Sequence, residues 1–227
     1  MSPLSRYERL LAKVSRRFAA TARRHGGEIA CRVGCFGCCV GLFEITALDA
    51  AVAARGLAKL PPARRHAIAR RAEAIARRIA RIFPGDAKTL LLDVRRQKDW
   101  DAFFEKTAAI ACPFLVPIGG TGGTAAAAAR KRRWPTGFVC AIYAHRPHAC
   151  RTFGLPLANR GTVVSEPCRL NFRGAPSEEI AAAALPVYEP EEDRIARDAE
   201  RELGLPVDAA TILPAVASSR FMSPRGS

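Results

Sequence analysis

From Met1 to His25, the apolar positions Leu4, Tyr7, Leu11, Val14, Phe18 and Ala22 recur every three or four residues, with basic residues between them. That spacing places them on one face of an amphipathic helix. Thr46-Ala-Leu-Asp49 has the form of a capping box, a hydroxyl with an acid three positions on, and predicts a short helix ending at Gly56. Pro61 and Pro62 open a longer helix running to about Phe83, with Ile68, Ala72, Ile75, Ile79 and Ile82 as its buried stripe. A further helix is expected from about Ala87 to Ala109, burying Leu91, Val94, Phe103 and Phe104. Helices at Glu178–Ala184 and Glu189–Leu203 follow, and a short strand is expected around Val139–Tyr143.

These elements predict a mainly α fold with irregular Cys-rich loops and one or two short strands, a single domain nucleated by metal. Three stretches organise it. Residues 1–30 form the N-terminal amphipathic helix. Residues 31–175 hold the cysteine cluster, with a surface insertion at about 118–134. Residues 176–227 form an acidic helical segment and a frayed tail from Ser218. The Gly119–Gly123 run lacks the spacing of a phosphate-binding P-loop.

Composition adds compartment and charge. No run of about eighteen apolar residues is present, so no membrane-spanning helix is expected. The basic start lacks the apolar stretch of a secretion signal. That leaves the cytoplasm as the expected location, with an Arg-rich organelle transit segment as the alternative. The net charge of +15 is uneven: residues 1–111 carry 22 basic and 10 acidic side chains, whereas Ser177–Asp208 carries 10 acids against 3 arginines. One use for that asymmetry is an acidic helix packing against basic ones. No helix-turn-helix, RNA-binding or zinc-finger pattern accompanies the charge, so nucleic acid is not an expected partner.

The cysteines change the picture most. The chain has eight, and four of them fall within Cys31-Arg-Val-Gly-Cys35-Phe-Gly-Cys38-Cys39. Thiolates two or three residues apart can curl onto one metal at about 2.3 Å, and Gly34 and Gly37 suit the tight loop this requires. The adjacent Cys38 and Cys39 point apart, so they serve different metals, or one ligates while the other bridges or stays free. The remaining four are Cys112, Cys140, Cys150 and Cys168. In a reducing compartment such clusters bind metal more often than they form disulfides. His145 and His148 are secondary candidate ligands. Arg146, Arg151 and Arg169 stand beside the cluster, where their charge would offset that of thiolates. Tyr143 reads as a packing residue.

The pattern CxxxCxxCC, then Cys112-Pro-Phe-Leu115, then Cys140-x-Ile-Tyr-x-x-Arg-Pro-x-x-Cys150-Arg and a last cysteine, resembles the YkgJ-type cysteine-cluster family, described as zinc- or iron-chelating. Two features depart from it: Cys31 and Cys35 are one residue further apart, and the Gly/Ala/Arg insertion follows CPFL. The resemblance implies that Cys31, Cys35, Cys38, Cys39, Cys112, Cys140, Cys150 and Cys168 all bind metal, zinc or iron, with an iron–sulfur cluster included. It implies no reaction. Two other readings are an iron–sulfur, S-adenosylmethionine-dependent methyltransferase-like enzyme, from the Cys31-x-x-x-Cys35-x-x-Cys38 spacing, and a nucleic-acid-associated zinc module using the basic helices. Gly37 stands where the enzyme motif has an aromatic, and no repeated strand–helix pattern of a barrel is present.

Overall fold

A computed structural model describes residues 1–118, 137–204 and 208–221. Helix α1 (Pro3–Arg24) is capped by Ser2, whose hydroxyl accepts from the Ser5 amide at 3.3 Å, and buries Tyr7, Leu10, Leu11 and Val14. Helix α2 (Ala47–Ala58) begins at Thr46, whose Oγ1 accepts from the Asp49 amide at 3.1 Å. The long helix α3 spans Pro62–Ile79, and α4 spans Trp100–Lys106. Among the described residues four further helices follow: α5 (Ala149–Thr152), α6 (Ser177–Ala182), α7 (Glu189–Leu203) and α8 (Leu213–Ala217).

Helix α2 is central because it is apolar on two sides. Leu48 and Val52 meet Tyr7, Leu10, Leu11 and Val14 of α1, together with Tyr188, Ile195 and Ala199 on α7 and its lead-in. Ala50 and Ala53 meet Ile68, Ala72 and Ala76 of α3 and Ala215 and Val216 of α8. Small residues on these faces let the backbones approach closely, so an alanine-rich sequence still builds a packed core. The acidic α7 packs on the basic α1, with Arg6 bridging to Asp198 and Lys13 to Glu191, which is the use expected for the charge asymmetry.

The strands are short but more numerous than expected. Ile45–Thr46 (β1) pairs antiparallel with Ala210–Thr211 (β9), and Gly85–Asp86 (β2) with Leu91–Leu92 (β3). Leu115–Pro117 (β4) pairs antiparallel with Phe138–Cys140 (β5), the strand expected near Val139. Leu157–Asn159 (β6) lies between Thr162–Ser165 (β7) and Leu185–Pro186 (β8).

Four expectations need correction. The helix expected over Ala87–Ala109 is instead the β2–β3 hairpin, a 3-10 turn at Val94–Asp99 and the short α4. Asp86 causes this: its carboxylate accepts from the Lys88 amide at 2.9 Å and the Thr89 hydroxyl at 2.7 Å, a local alternative to helical bonding. Val94 is consequently exposed, as is Ile82 beyond the end of α3. Gly56 does not end α2, which runs through it. The tail is packed as far as Phe221, which is buried, and Arg220 bonds to Glu73 and to the Ala87 carbonyl. The Gly/Ala/Arg insertion lies almost wholly outside the described residues. Among the described residues no helix is long and apolar enough to cross a membrane.

Candidate metal centre

Backbone hydrogen bonds draw the cysteine segments together. The Cys31–Cys39 loop turns at Gly34, whose φ of +95° favours glycine, and tightens into a 3-10 turn over Gly37–Cys39. Gly37 itself needs no positive φ. Phe36 anchors the loop, fully buried edge-on to Phe138 at 5.3 Å between ring centres. The Cys112 amide donates to the Cys39 carbonyl at 2.8 Å, and Cys140 lies opposite Leu115 in the β4–β5 pair. Cys150 enters on α5. Cys168 comes close through Asn171, whose amide donates to the Cys168 carbonyl at 2.7 Å while its side chain donates to Cys31 Sγ at 3.4 Å. Gly154 leaves room for that sulfur: a Cβ there would lie 2.4 Å from Cys31 Sγ.

Every cysteine of the predicted set except Cys168 lines one cavity of about 550 Å³, and Cys168 adjoins it through Cys31 and Cys35. None of the eight forms a disulfide. Their electrostatics divide them. Cys31 feels Cys35, Cys168 and Cys38, and Cys35 feels Cys38 and Cys168. Cys112 feels Cys140 and Cys38, whereas Cys150 feels Cys112, Cys38 and Cys140. Cys38 therefore stands between two thiol groups.

Burial is the main influence on Cys31, Cys35, Cys112, Cys140 and Cys150 and favours the neutral form, pushing Cys31 up to about 11 and Cys112 up to about 12. Cys38 is the exception. A hydrogen bond from Cys39 outweighs its burial, and with help from the Arg146 guanidinium it holds Cys38 below the usual thiol range while Cys39 is pushed up. Among the described residues no group of three or more His, Cys, Asp or Glu side chains is arranged so that it could hold a metal ion. The chemistry of the donors still fits a soft metal, because thiols from four separate stretches surround one space.

The histidines are engaged elsewhere. His145 Nε2 lies 3.0 Å from Lys59 Nζ, and His148 Nδ1 lies 2.6 Å from Glu192 Oε2. The Arg146 guanidinium stacks 3.9 Å above the half-exposed Tyr143 ring. Arg151 spends its donors on structure, reaching Ser15 Oγ and the Ala144 carbonyl at 2.7 Å and the Arg146 carbonyl at 3.0 Å.

Sequence reading missed the support beneath the Cys150 loop. Tyr7 Oη donates to Asp49 Oδ1 at 2.7 Å and contacts Glu192 Oε1 at 2.8 Å, and the His148 amide donates to Asp49 Oδ1 at 2.8 Å. This buried network ties α1, α2 and α7 to the residues just before Cys150. Asp49 thus leaves the capping box half made: Thr46 caps the helix, but the acid turns inward. Its carboxyl is pushed up to about 6, first by burial and then by Glu192. The available signal was an acid within the apolar run Ala47–Ala54. No protein-family model, curated protein or solved structure matches this chain.

Proposed function

We propose that the chain is a cysteine-cluster metal-binding protein, of the type its motifs resemble, whose eight cysteines hold zinc or iron. The observation that carries this reading is the convergence of thiols from Cys31–Cys39, Cys112, Cys140 and Cys150 on one cavity. The electrostatic grouping further suggests how they divide. Cys31, Cys35 and Cys168 would serve one half and Cys39, Cys112, Cys140 and Cys150 the other, with Cys38 between them. Bound metal would supply cross-links between distant segments, of about 10–16 kcal/mol in apparent terms for a structural zinc. The chain's own residues do the rest. Asn171 orients Cys31, Arg146 offsets charge at Cys38 and Cys140, and the network around Asp49 holds the approach to Cys150.

Elemental analysis and a visible spectrum of protein purified without oxygen test this directly. Stoichiometric zinc with no colour, or iron with a brown absorbance, is the expected result. Replacing Cys168 or Cys140 by Ser should each remove part of the metal, and replacing Cys38 should remove more than either. Metal content near zero in the unaltered protein, or unchanged in all three variants, would overturn the reading.

A further inference from the structure

Away from the thiols, α1 and α7 enclose an open groove of about 1000 Å³. Arg6, Arg9, Lys13 and Arg16 line its α1 wall at steps of three and four residues, which sets a cation about every 5 Å along the axis. Arg194, Arg197 and Arg201 line the α7 wall. Three acids share the lining with these seven cations: Asp198 takes Arg6 and Arg201, Glu191 takes Lys13 at 2.8 Å, and the buried Glu200 feels the charge of Arg197 without a salt bridge to it. Arg9, Arg16, Arg194 and Arg197 are exposed, with no carboxylate in salt-bridge range among the described residues. Charged stripes that only kept the chain soluble would point away from each other, yet these two face across one concave channel.

We infer that this groove binds the sugar–phosphate backbone of a single nucleic-acid strand, without reading its bases. A linear polyanion with a charge on every nucleotide matches cations repeated along both walls. Guanidinium groups also suit phosphate through their forked donors. The exposed Lys13–Glu191 pair is worth little and yields easily to a phosphate. Among the described residues no aromatic lines the groove to stack a base, so the binding is electrostatic. A membrane surface fits less well. The apolar face of α1 is already buried against α2 and α7, and its floor residues Leu10 and Ile195 are core, leaving nothing to insert into lipid. The sequence raised nucleic acid only through its basic helices, as a zinc-module alternative, and could not show this groove because α1 and α7 are far apart in the chain. The inference does not depend on the metal.

Anisotropy of a fluorescein-labelled oligothymidylate titrated with the full chain, as purified, tests the groove. Saturable binding at low salt is expected, with a log–log salt slope of about −3 for four neutralised phosphates. Arg9→Glu with Arg16→Glu should weaken it by about tenfold or more, as should Arg194→Glu with Arg197→Glu. Arg64→Glu with Arg78→Glu changes the net charge equally on exposed positions of α3, outside the groove, and should weaken binding by no more than about twofold. Equal losses in the groove and α3 variants would overturn the inference, as would no binding at low salt. So would tighter capture by phosphatidylserine vesicles or by polyglutamate than by the oligonucleotide. Circular dichroism of each variant confirms that a loss of binding is not a loss of fold.

Discussion

At the scale of single residues, the buried network matters most, because it carries charge into the interior. Tyr7, Asp49 and Glu192 are buried, and the mostly covered His148 joins them, so solvent screens their charges little. Burial raises the Asp49 carboxyl to about 6 from an ordinary value near 3.8. His148 is raised too: its burial opposes the charged form, but the bond to Glu192 and the charges of Glu192 and Asp49 outweigh that. In both groups the folded state holds its proton more tightly than the unfolded chain does. Their stabilisation is therefore complete below the unfolded pKa and is lost as pH rises through the folded one. For Asp49 the window lies between about pH 4 and 6, and the loss is of order 3 kcal/mol at most. Asp49→Asn keeps an oxygen for Tyr7 and the His148 amide but cannot ionise. Urea unfolding of both proteins across that range should give a difference curve that moves in favour of the Asp49→Asn variant as pH rises. Any metal contributes to both proteins, so subtraction isolates the carboxyl. A flat difference would mean that Asp49 is not held neutral.

At the scale of elements, the clearest case is α2 against the Tyr143–His145 turn. Glycine inside a helix ordinarily costs about 1 kcal/mol relative to alanine, so Gly56→Ala should stabilise an isolated α2. Here the sign reverses. A Cβ on Gly56 would sit 2.6 Å from His145 Cβ and 3.1 Å from Ile142 Cβ, neither of which is the free end of a flexible chain. The turn carrying Cys140 towards Cys150 would have to move away. Gly56→Ala should destabilise by about 1–3 kcal/mol, the range for overpacking, and calorimetry would register it as a lower midpoint. A raised midpoint would show that the turn yields freely. The same glycine explains one limit of sequence reading: in the sequence it is a stop signal, and only the packed neighbour reveals it as a spacer. Elements specified by their own periodicity were legible, α1, α3 and α7 among them. The 85–109 stretch was not, because its apolar spacing suited a helix while the Asp86 side chain closed a turn instead.

At the scale of the whole molecule, the spacing of the cysteines showed which residues mattered, while only the fold showed how they meet. Asn171 linking Cys168 to Cys31, and Cys38 standing between two thiol groups, depend on contacts between distant stretches of the chain. No local pattern reports such contacts. That geometry also sets how the molecule should respond to losing metal. The core formed by α2, α3 and α8 is apolar, and among the described residues Cys112 and Cys140 pack against its edge. The cysteine segments are anchored at a few apolar points, Phe36 with Leu115 and Phe138, Ile110, Phe114 and Ile142 in the main core, and Phe172 beside Leu155, while the stretches between them are irregular. A domain's net stability is about 5–15 kcal/mol, comparable to what structural zinc supplies, so the loops should depend on metal more than the core does. Hydrogen exchange read by mass spectrometry, with and without a chelator in reducing buffer, separates the two regions. Peptides covering 31–41, 110–117, 138–151 and 166–172 should exchange faster on chelation, while α3 and α8 keep more of their protection. Loss of as little as about 5 kcal/mol should also lower the thermal midpoint by about 10–20 °C. Identical exchange and an unmoved midpoint after complete metal removal would show that the loops close on their own, through the Cys39–Cys112 and β4–β5 backbone bonds, and that the thiols are not what holds them.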